Sequence, residues 1–341
     1  MLTASVVRLR GLGYGLSGIL VTLFGLILMT FLIGRAIPID PARAILGDRA
    51  PPQVVAQLRT ELGLDKPLLQ QFWIYFKHMA AGDFGISVMS SRPVTQDIAH
   101  FFPATLELAT TALLISLLIG VPLGILAAAR QDSVHDHIVR VVSLAGQSTP
   151  VFVLALICLL VFYVKLGIAP GTGRQDIVFQ GTVPDVTHIL LVDAALAGDW
   201  DAFWDALSHL AMPALLLAFY SLATITRMTR TFMMEALSGE YIVAARARGL
   251  SASRILWRHA FPNVLGRLVA IIALVYAGLL EGSVLTETVF SWPGLGLYLT
   301  LSLLNADMNS VLGTTLIVGT LYVGLNLLAD LAYRIIDPRV R

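Results

Sequence analysis

The chain has 341 residues, of which 57% are hydrophobic and 13% are charged, whereas soluble domains carry about 25% charged residues. With a mean hydropathy of +0.79, this composition excludes a water-soluble globule. The net charge of +1 supplies no overall positive field, which argues against a nucleic-acid-binding protein. The single cysteine, Cys158, rules out an internal disulfide.

Six apolar stretches are long enough to cross a lipid bilayer, which takes about 20 helical residues. They cover residues 11–34, 108–129, 141–164, 206–226, 268–286 and 308–329. The first stretch is too long for the apolar part of a secretory signal, so we expect it to remain in the protein. The sequence therefore predicts an all-α, multi-pass membrane protein with six transmembrane helices.

The distribution of positive charge predicts the orientation in the membrane. Lys and Arg in short loops stay in the cytoplasm during insertion, and arginines gather at both chain ends and in segment 227–267. Both termini and this segment are therefore predicted to be cytoplasmic. The chain divides into a cytoplasmic N-terminus with the first helix (1–34), an external helical region (35–103) and a membrane core with the other five helices (104–341).

Two external segments carry distinct patterns. In segment 35–103, large apolar side chains recur at helical spacing, which predicts packing on the membrane domain. They are Leu58, Leu62, Leu64, Leu68, Leu69, Phe72, Trp73 and Phe76. Segment 165–205 is acidic, with six aspartates against Lys165 and Arg174. It is either a solvated surface or a docking face for a partner or a cationic solute.

The cytoplasmic segment 227–267 predicts two short helices separated by a tight break. Ser238 is the predicted N-cap of the first helix, which ends at Gly249, and Ser251 is the predicted N-cap of the second. Pro262 is predicted to mark the turn back to the membrane. The first helix carries Tyr241, Ala244, Ala245 and Arg248. Small alanines beside a basic rim favour insertion into a groove of another protein, and the alternative is a basic helix held by anionic lipid.

The residues of segment 227–267 resemble a motif of a known protein family. The run from Val243 to Gly249, followed by His259-Ala-Phe-Pro262, resembles the EAA motif loop of ATP-binding cassette (ABC) importer permeases, although Val243, His259 and Phe261 depart from the general pattern. Eight segments in order, one of which contains the run from Val243 to Gly249, are similar to the oligopeptide/dipeptide (DppB-like) branch. They are IPIDPARAIL, LGLDKPLLQQF, GDFGIS, ATLELA, HLAMPA, EYIVAARARGLS, LTETVFSWPGLG and DPRVR.

The resemblance implies a type I ABC importer permease fold in a bacterial inner membrane. It implies a heterodimer with a DppC-like permease, two cytoplasmic DppD/DppF-like ATPase subunits that bind ATP and Mg, and a periplasmic solute-binding protein. The implied cargo is a dipeptide or oligopeptide. Similar permeases carry haem, glutathione, opines or chelated nickel, so the cargo stays open at this point.

The residues themselves argue against an enzyme. A phosphate-binding loop needs Gly-Lys-Ser/Thr, but Lys66, Lys77 and Lys165 are followed by Pro, His and Leu. We therefore expect no catalytic residue and no cofactor in this chain. No metal site is expected either, because the adjacent His135 and Asp136 of a helix would point apart.

An ion-coupled secondary transporter is the less favoured alternative. Such a transporter would use membrane-embedded acidic relays and inverted repeats. Only Glu107, Glu281 and Asp330 lie at or near membrane depth, and the sequence has no visible internal repeat.

Two places are candidates for the transport pathway. Glu281 interrupts an apolar stretch, so it must face protein or water, either in a structural contact or in a cavity that attracts the ammonium group of a peptide. The predicted loop 287–296 is a candidate external gate or an interfacial aromatic anchor. Its candidate residues are Glu287, Trp292, Pro293 and Gly294.

Overall fold

The computed structural model describes residues 2–36, 41–47, 49–61, 63–131, 133–134 and 149–336. Within these ranges the regular structure is helical, apart from one isolated antiparallel bridge between Ile86 and Pro93. The predicted all-α class is confirmed. The sequence predictions for His135, Asp136 and the DPRVR end lie outside the described residues.

The helices follow the apolar stretches but extend beyond them. The long helices are α1 (Leu2–Ala36), α5 (Val94–Ala129), α8 (Trp200–Leu237), α11 (Phe261–Phe290) and α13 (Met308–Ile336). The shorter helices are α2 (Pro41–Leu46), α3 (Pro52–Glu61), α4 (Leu68–Ala80), α6 (Val151–Cys158), α7 (Leu190–Ala197), α9 (Glu240–Ala247), α10 (Ala252–Arg254) and α12 (Leu295–Leu304). Wider π-helical turns follow α6 and α10, and a 3₁₀ turn covers Ile177–Phe179.

Five described helices are long and apolar enough to cross a membrane. They contain five of the six predicted stretches, and the spans they offer are Ser17–Arg35, Val94–Ala129, Trp200–Leu237, Ala252–Phe290 and Met308–Leu331. The remaining stretch, 141–164, falls partly outside the described residues. Its described part belongs to the shorter apolar helical run Val151–Lys165.

The chain forms two compact units. Unit 1 contains residues 1–100 and 298–323, and unit 2 contains residues 101–297 and 324–341. The predicted boundary between residues 103 and 104 lies inside α5, because the helix runs through Pro103 without a break.

In unit 2, small residues let α5 and α8 approach closely. A Cβ atom on Gly124 would lie 2.7 Å from the carbonyl oxygen of Thr226, so the two backbones are nearly in contact. Ser116 and Ser221 share a hydrogen bond of 2.5 Å between these helices. Close packing through small residues and an interhelical hydrogen bond is typical of membrane helices, because lipid provides no hydrophobic force to join them.

In unit 1, a buried polar cluster joins the segment after α4 to the start of α13. Asp307 is fully buried and accepts hydrogen bonds from the hydroxyls of Ser87 (2.6 Å) and Ser310 (2.8 Å). The Tyr298 hydroxyl donates to Asp97 at 3.0 Å. Because both carboxylates accept hydrogen bonds from hydroxyl groups, the cluster can be buried without leaving a carboxylate that lacks a donor.

Candidate functional site

The hairpin (residues 239–262) begins one residue later than the sequence predicts. Ser238 has helical backbone angles (φ −83°, ψ −6°) and ends α8, and its hydroxyl donates to the Glu235 carbonyl at 2.8 Å. An N-cap needs an extended backbone, and Gly239 has one (φ −71°, ψ 147°). The prediction of Ser238 as the N-cap of α9 is therefore wrong.

Helix α9 has a buried face and an exposed face. Ile242 and Ala245 are 0% and 6% exposed and pack into the hydrophobic core of unit 2. Tyr241 and Val243 are 43% and 62% exposed, and Ala244 is also exposed. The two alanines of the motif thus have different surroundings, and only Ala244 is available to another protein.

Gly249 ends α9 in the left-handed conformation that the sequence predicts, with φ +73°. Its N–H donates to the backbone carbonyl of Arg246 (2.9 Å), and the N–H of Leu250 donates to the backbone carbonyl of Ala245 (3.3 Å). These two bonds form a Schellman motif, which satisfies the last carbonyls of the helix. Leu250 also packs against the same core as Ala245, so the break between the two helices has a fixed geometry.

The second half of the hairpin differs from the prediction at Pro262. Ser251 caps α10 as predicted and accepts from the N–H of Arg254 at 3.4 Å. Beyond α10 the chain does not turn at Pro262, but continues through the π-helical turns Ile255–Ala260 into α11. Proline lacks an N–H and its ring crowds the preceding turn, and a π-helical turn gives it room. The predicted turn is wrong, and one helical run spans Ala252–Phe290.

An ion pair joins the ends of α8 and α11 beside the hairpin. The Arg267 guanidinium donates to Glu235 at 2.5 Å and lies 4.7 Å from the centre of the Phe232 ring. Met233 and Val264 are fully buried in the same hydrophobic core as Ile242 and Ala245. The hairpin and both adjoining helices therefore form one packed body.

The exposed surface of the hairpin has an apolar centre and a basic rim. Trp257 is 48% exposed, and with Tyr241 and Val243 it provides the apolar side chains. The exposed arginines are Arg246, Arg248, Arg254 and Arg258. Aromatic and arginine side chains are enriched at protein interfaces, so this surface suits a protein partner.

Glu287 lies in the last turns of α11 and not in a loop, because α11 continues to Phe290. Its side chain is fully buried. Oε1 accepts from the Ser283 hydroxyl (2.8 Å) and Oε2 from the N–H of Gly296 (2.6 Å). A Cβ atom on Gly294 would collide with this carboxylate and with the Thr105 hydroxyl. Glu287 and Gly294 thus hold the turn after α11 in place.

Trp292 is buried in the same turn. Its indole N–H donates to the Ala104 carbonyl at 2.8 Å, and its backbone N–H donates to the Glu287 carbonyl at 2.8 Å. Of the predicted gate residues, only Pro293 is half-buried and lines a cavity. The structure thus brings Glu287, Trp292 and Gly294 together as one hydrogen-bonded turn.

A buried ion pair next to this turn was not found by sequence reasoning. Glu107 accepts from Nη2 of Arg174 at 2.6 Å and from the Leu191 N–H at 2.9 Å. Arg174 also donates to the His188 carbonyl (3.0 Å) and lies 5.7 Å above the Trp292 ring. The only signal in the sequence was a carboxylate at the edge of an apolar stretch, which requires a partner without naming it.

Arg174 lies in the wall of a cavity of about 700 Å³ formed by the acidic segment. Other lining residues include Asp176, Asp185, Asp193 and Pro293. Burial of Asp193 favours the neutral acid, but hydrogen bonds from the Thr187 hydroxyl and N–H groups outweigh it and lower the pKa of Asp193. The carboxylate therefore stays charged, and the cavity suits a cationic or hydrogen-bond-donating group.

Comparison with known proteins identifies the family. The protein-family model described as "Binding-protein-dependent transport system inner membrane component" matches residues 120–341. The family model for the N-terminal part of such membrane components matches residues 9–109. The chain belongs to this family. It is a multi-pass protein of the inner membrane and a permease subunit of an ABC importer, not an enzyme.

Individual relatives match almost the whole chain. A protein of Escherichia coli K12, named probable D,D-dipeptide transport system permease protein DdpB, is 44% identical over 95% of this chain and 95% of its own length. The dipeptide transport system permease protein DppB of the same strain is 40% identical over 94% and 95%. The di/tripeptide permease protein DppB of Pseudomonas aeruginosa is 40% identical over 94% and 95%.

The two glutamates of α11 differ in exposure, because Glu287 is fully buried and Glu281 is exposed. Glu281 is exposed and belongs to a stripe on α11 that also contains Leu274, Gly278, Gly282 and Leu285. A Cβ atom on Gly278 or Gly282 would meet no other atom within 4 Å. A charge at membrane depth is unfavourable in lipid, so the sequence prediction that Glu281 faces protein or water in the assembled permease stays a prediction.

Proposed function

We propose that this chain is one membrane half of an ATP-driven dipeptide importer, paired with a DppC-like permease. Two DppD/DppF-like ATPase subunits would bind ATP and Mg, and a periplasmic solute-binding protein would deliver the cargo. This chain itself needs no cofactor. The supporting observation is the two-faced α9, which is packed into unit 2 through Ile242 and Ala245 and exposes Tyr241, Val243 and Ala244.

The cytoplasmic hairpin can transmit motion because it is rigid. The Schellman motif at Gly249 fixes the angle between α9 and the next helical run. That run continues without interruption from Ala252 to Phe290. Movement of an ATPase subunit bound to the exposed face would therefore tilt α11, and alternating access would follow from this displacement. This mechanism requires both termini and the hairpin to be cytoplasmic.

Dipeptides are the proposed cargo because the similar permeases are named for dipeptide or di/tripeptide transport. Glu281 supplies a carboxylate on an exposed stripe of α11 with open space at Gly278 and Gly282. Its negative charge would attract the ammonium group of a peptide.

Crosslinking tests the hairpin contact in the reconstituted complex, in a Cys158→Ala background. Ala244→Cys and Arg248→Cys are expected to form adducts with an ATPase subunit, because both positions are exposed. Ala245→Cys is the matched control, since that side chain is buried, and it should react little. Absence of adducts at both exposed positions would favour the lipid-surface interpretation of the hairpin.

Transport itself is tested with purified complex in vesicles. A dipeptide-loaded binding protein is expected to stimulate ATP hydrolysis, and labelled dipeptide should accumulate inside. Stimulation by a different solute, with none by L,L- or D,D-dipeptides, would reject the dipeptide assignment and leave the importer assignment intact.

A further inference from the structure

The apolar side chains of α4 fall into two sets. Phe72, Tyr75 and Phe76 contact α1, which confirms part of the predicted packing. Leu68, Leu69 and Trp73 do not join that contact and are 66%, 83% and 53% exposed. The prediction that all of them pack on the membrane domain is therefore wrong for this second set.

Helix α4 lies beside the membrane-spanning part of α1, not beyond its end. The Phe72 ring lies 5.8 Å from Phe24 and 5.4 Å from Phe31, and the Tyr75 hydroxyl donates to Thr30 at 3.0 Å. These α1 residues fall inside the span Ser17–Arg35. At 1.5 Å per residue, Thr30 lies about 7.5 Å and Phe24 about 16 Å below the Arg35 end of that span.

The exposed face of α4 is continuous with the apolar surface of α1. Phe24 is itself 44% exposed and contacts both Phe72 and Phe76. On α1 it adjoins Leu20 and Val21, which are 60% and 70% exposed. A surface that is apolar on a membrane span continues without interruption onto α4.

Two exposed polar side chains flank this apolar face of α4. They are Gln70 and Lys77, and the Lys77 ammonium lies 5.9 Å from the centre of the Trp73 ring. Tryptophan and lysine are the side chains that membrane proteins place at the boundary between acyl chains and water. Helix α4 therefore has an apolar face, an interfacial aromatic and flanking polar side chains.

We propose that α4 is an interfacial helix embedded in the leaflet at the Arg35 end of α1. Leu69 and Trp73 contact lipid acyl chains, and Gln70 and Lys77 face the headgroups and water. Amphipathic helices of this kind insert about 5 to 10 Å below the headgroup boundary, which is the depth of the Thr30 contact. The Phe24 contact places Phe72 and Phe76 deeper in the leaflet. The partner of this surface is the bilayer itself, and it fixes the tilt of α1 through the aromatic contacts.

Spin-label accessibility tests this proposal in the complete complex reconstituted in lipid nanodiscs. In a Cys158→Ala background, Leu69→Cys, Trp73→Cys and Gln70→Cys are each labelled. Leu69 and Gln70 are exposed. Trp73 is 53% exposed, and its replacement removes its stacking on Phe76. Collisions with oxygen, which concentrates in lipid, are compared with collisions with a water-soluble nickel chelate.

The ratio of oxygen to nickel collisions is expected to be several-fold higher at Leu69 and Trp73 than at the matched control Gln70. Equal ratios at the three positions would show that the face lies in water and would overturn the proposal. Low collision rates with both reagents at Leu69 and Trp73 would show a protein partner on this face and would also overturn it.

Discussion

Glu107 and Arg174 form an ion pair with a distance of 2.6 Å, although 67 positions separate them in the sequence. The Glu107 side chain is only 4% exposed. The pair joins α5 to the acidic segment, and the guanidinium also covers Trp292. One ion pair thus connects three elements of unit 2.

Arg174→Ala should destabilise the protein strongly. It leaves the Glu107 carboxylate buried without its cation, and removal of one partner of a buried pair costs about 3 to 5 kcal/mol. Thermal unfolding of the purified complex measures this loss. Replacing both partners by Met and Leu is expected to recover much of the stability, whereas Lys165→Ala, at an exposed position of the same segment, should change little. An Arg174→Ala variant as stable as the unmodified protein would contradict the structural role of the ion pair.

Gly249→Val should uncouple ATP hydrolysis from the binding protein while the chain still folds. A branched residue in the left-handed conformation costs about 1 to 2 kcal/mol locally, and relief of that strain redirects α9. Substrate-stimulated ATP hydrolysis is the measurement. Gly249→Asn is the matched control, because asparagine tolerates this conformation and a Cβ there meets no atom within 4 Å. Normal stimulation in the valine variant would reject the coupling role.

Gly294→Ala should disturb the turn after α11. The added methyl group collides with the Glu287 carboxylate and the Thr105 hydroxyl, and such overpacking typically costs about 1 to 3 kcal/mol. The Gly294→Ala variant is expected to unfold at a lower temperature than the unmodified protein. Gly18→Ala serves as the comparison, because a Cβ atom there meets no atom within 4 Å, and equal stability of the two variants would disagree with the structure.

Glu281→Gln should reduce uptake of dipeptides with a free N-terminus more than uptake of N-acetylated dipeptides. The Glu281 carboxylate would attract the ammonium group of a free N-terminus. An N-acetylated dipeptide has no such group, so it should lose less from this substitution. Uptake of both peptides is compared in vesicles, and assembly of the complex is checked in parallel. Equal loss for both peptides, or failed assembly, would leave Glu281 with a structural role.

Segment 186–193 should become less stable in acid. The pKa of Asp193 is lowered in the folded state, so its ionised form contributes stability above the ordinary carboxyl pKa of 3.8. That contribution is lost as the pH falls through the lower pKa of the folded state. Hydrogen exchange of the Thr187 amide, measured from pH 6 to pH 3 with correction for intrinsic rates, should show decreasing protection. Asp193→Asn should remove this dependence.

The sequence determined the features that depend on local chemistry. Apolar stretches predicted the membrane-spanning helices, since a bilayer requires about 20 such residues. Gly249 and Ser251 predicted the end of α9 and the start of α10, because a left-handed C-cap favours glycine and an N-cap favours serine. The ordered motifs also predicted the family.

Only the tertiary structure decided features that depend on residues far apart or on competing local preferences. Ser238 could cap either neighbouring helix, and the continuation of α8 to Leu237 assigned it to α8. Ala244 and Ala245 are identical in sequence, yet only packing against Ile255 and its neighbours buries Ala245. Likewise, Glu107 required a partner by its charge, but the fold of the acidic segment selected Arg174. Periodicity places residues on a helix face, whereas the neighbouring elements decide what that face contacts.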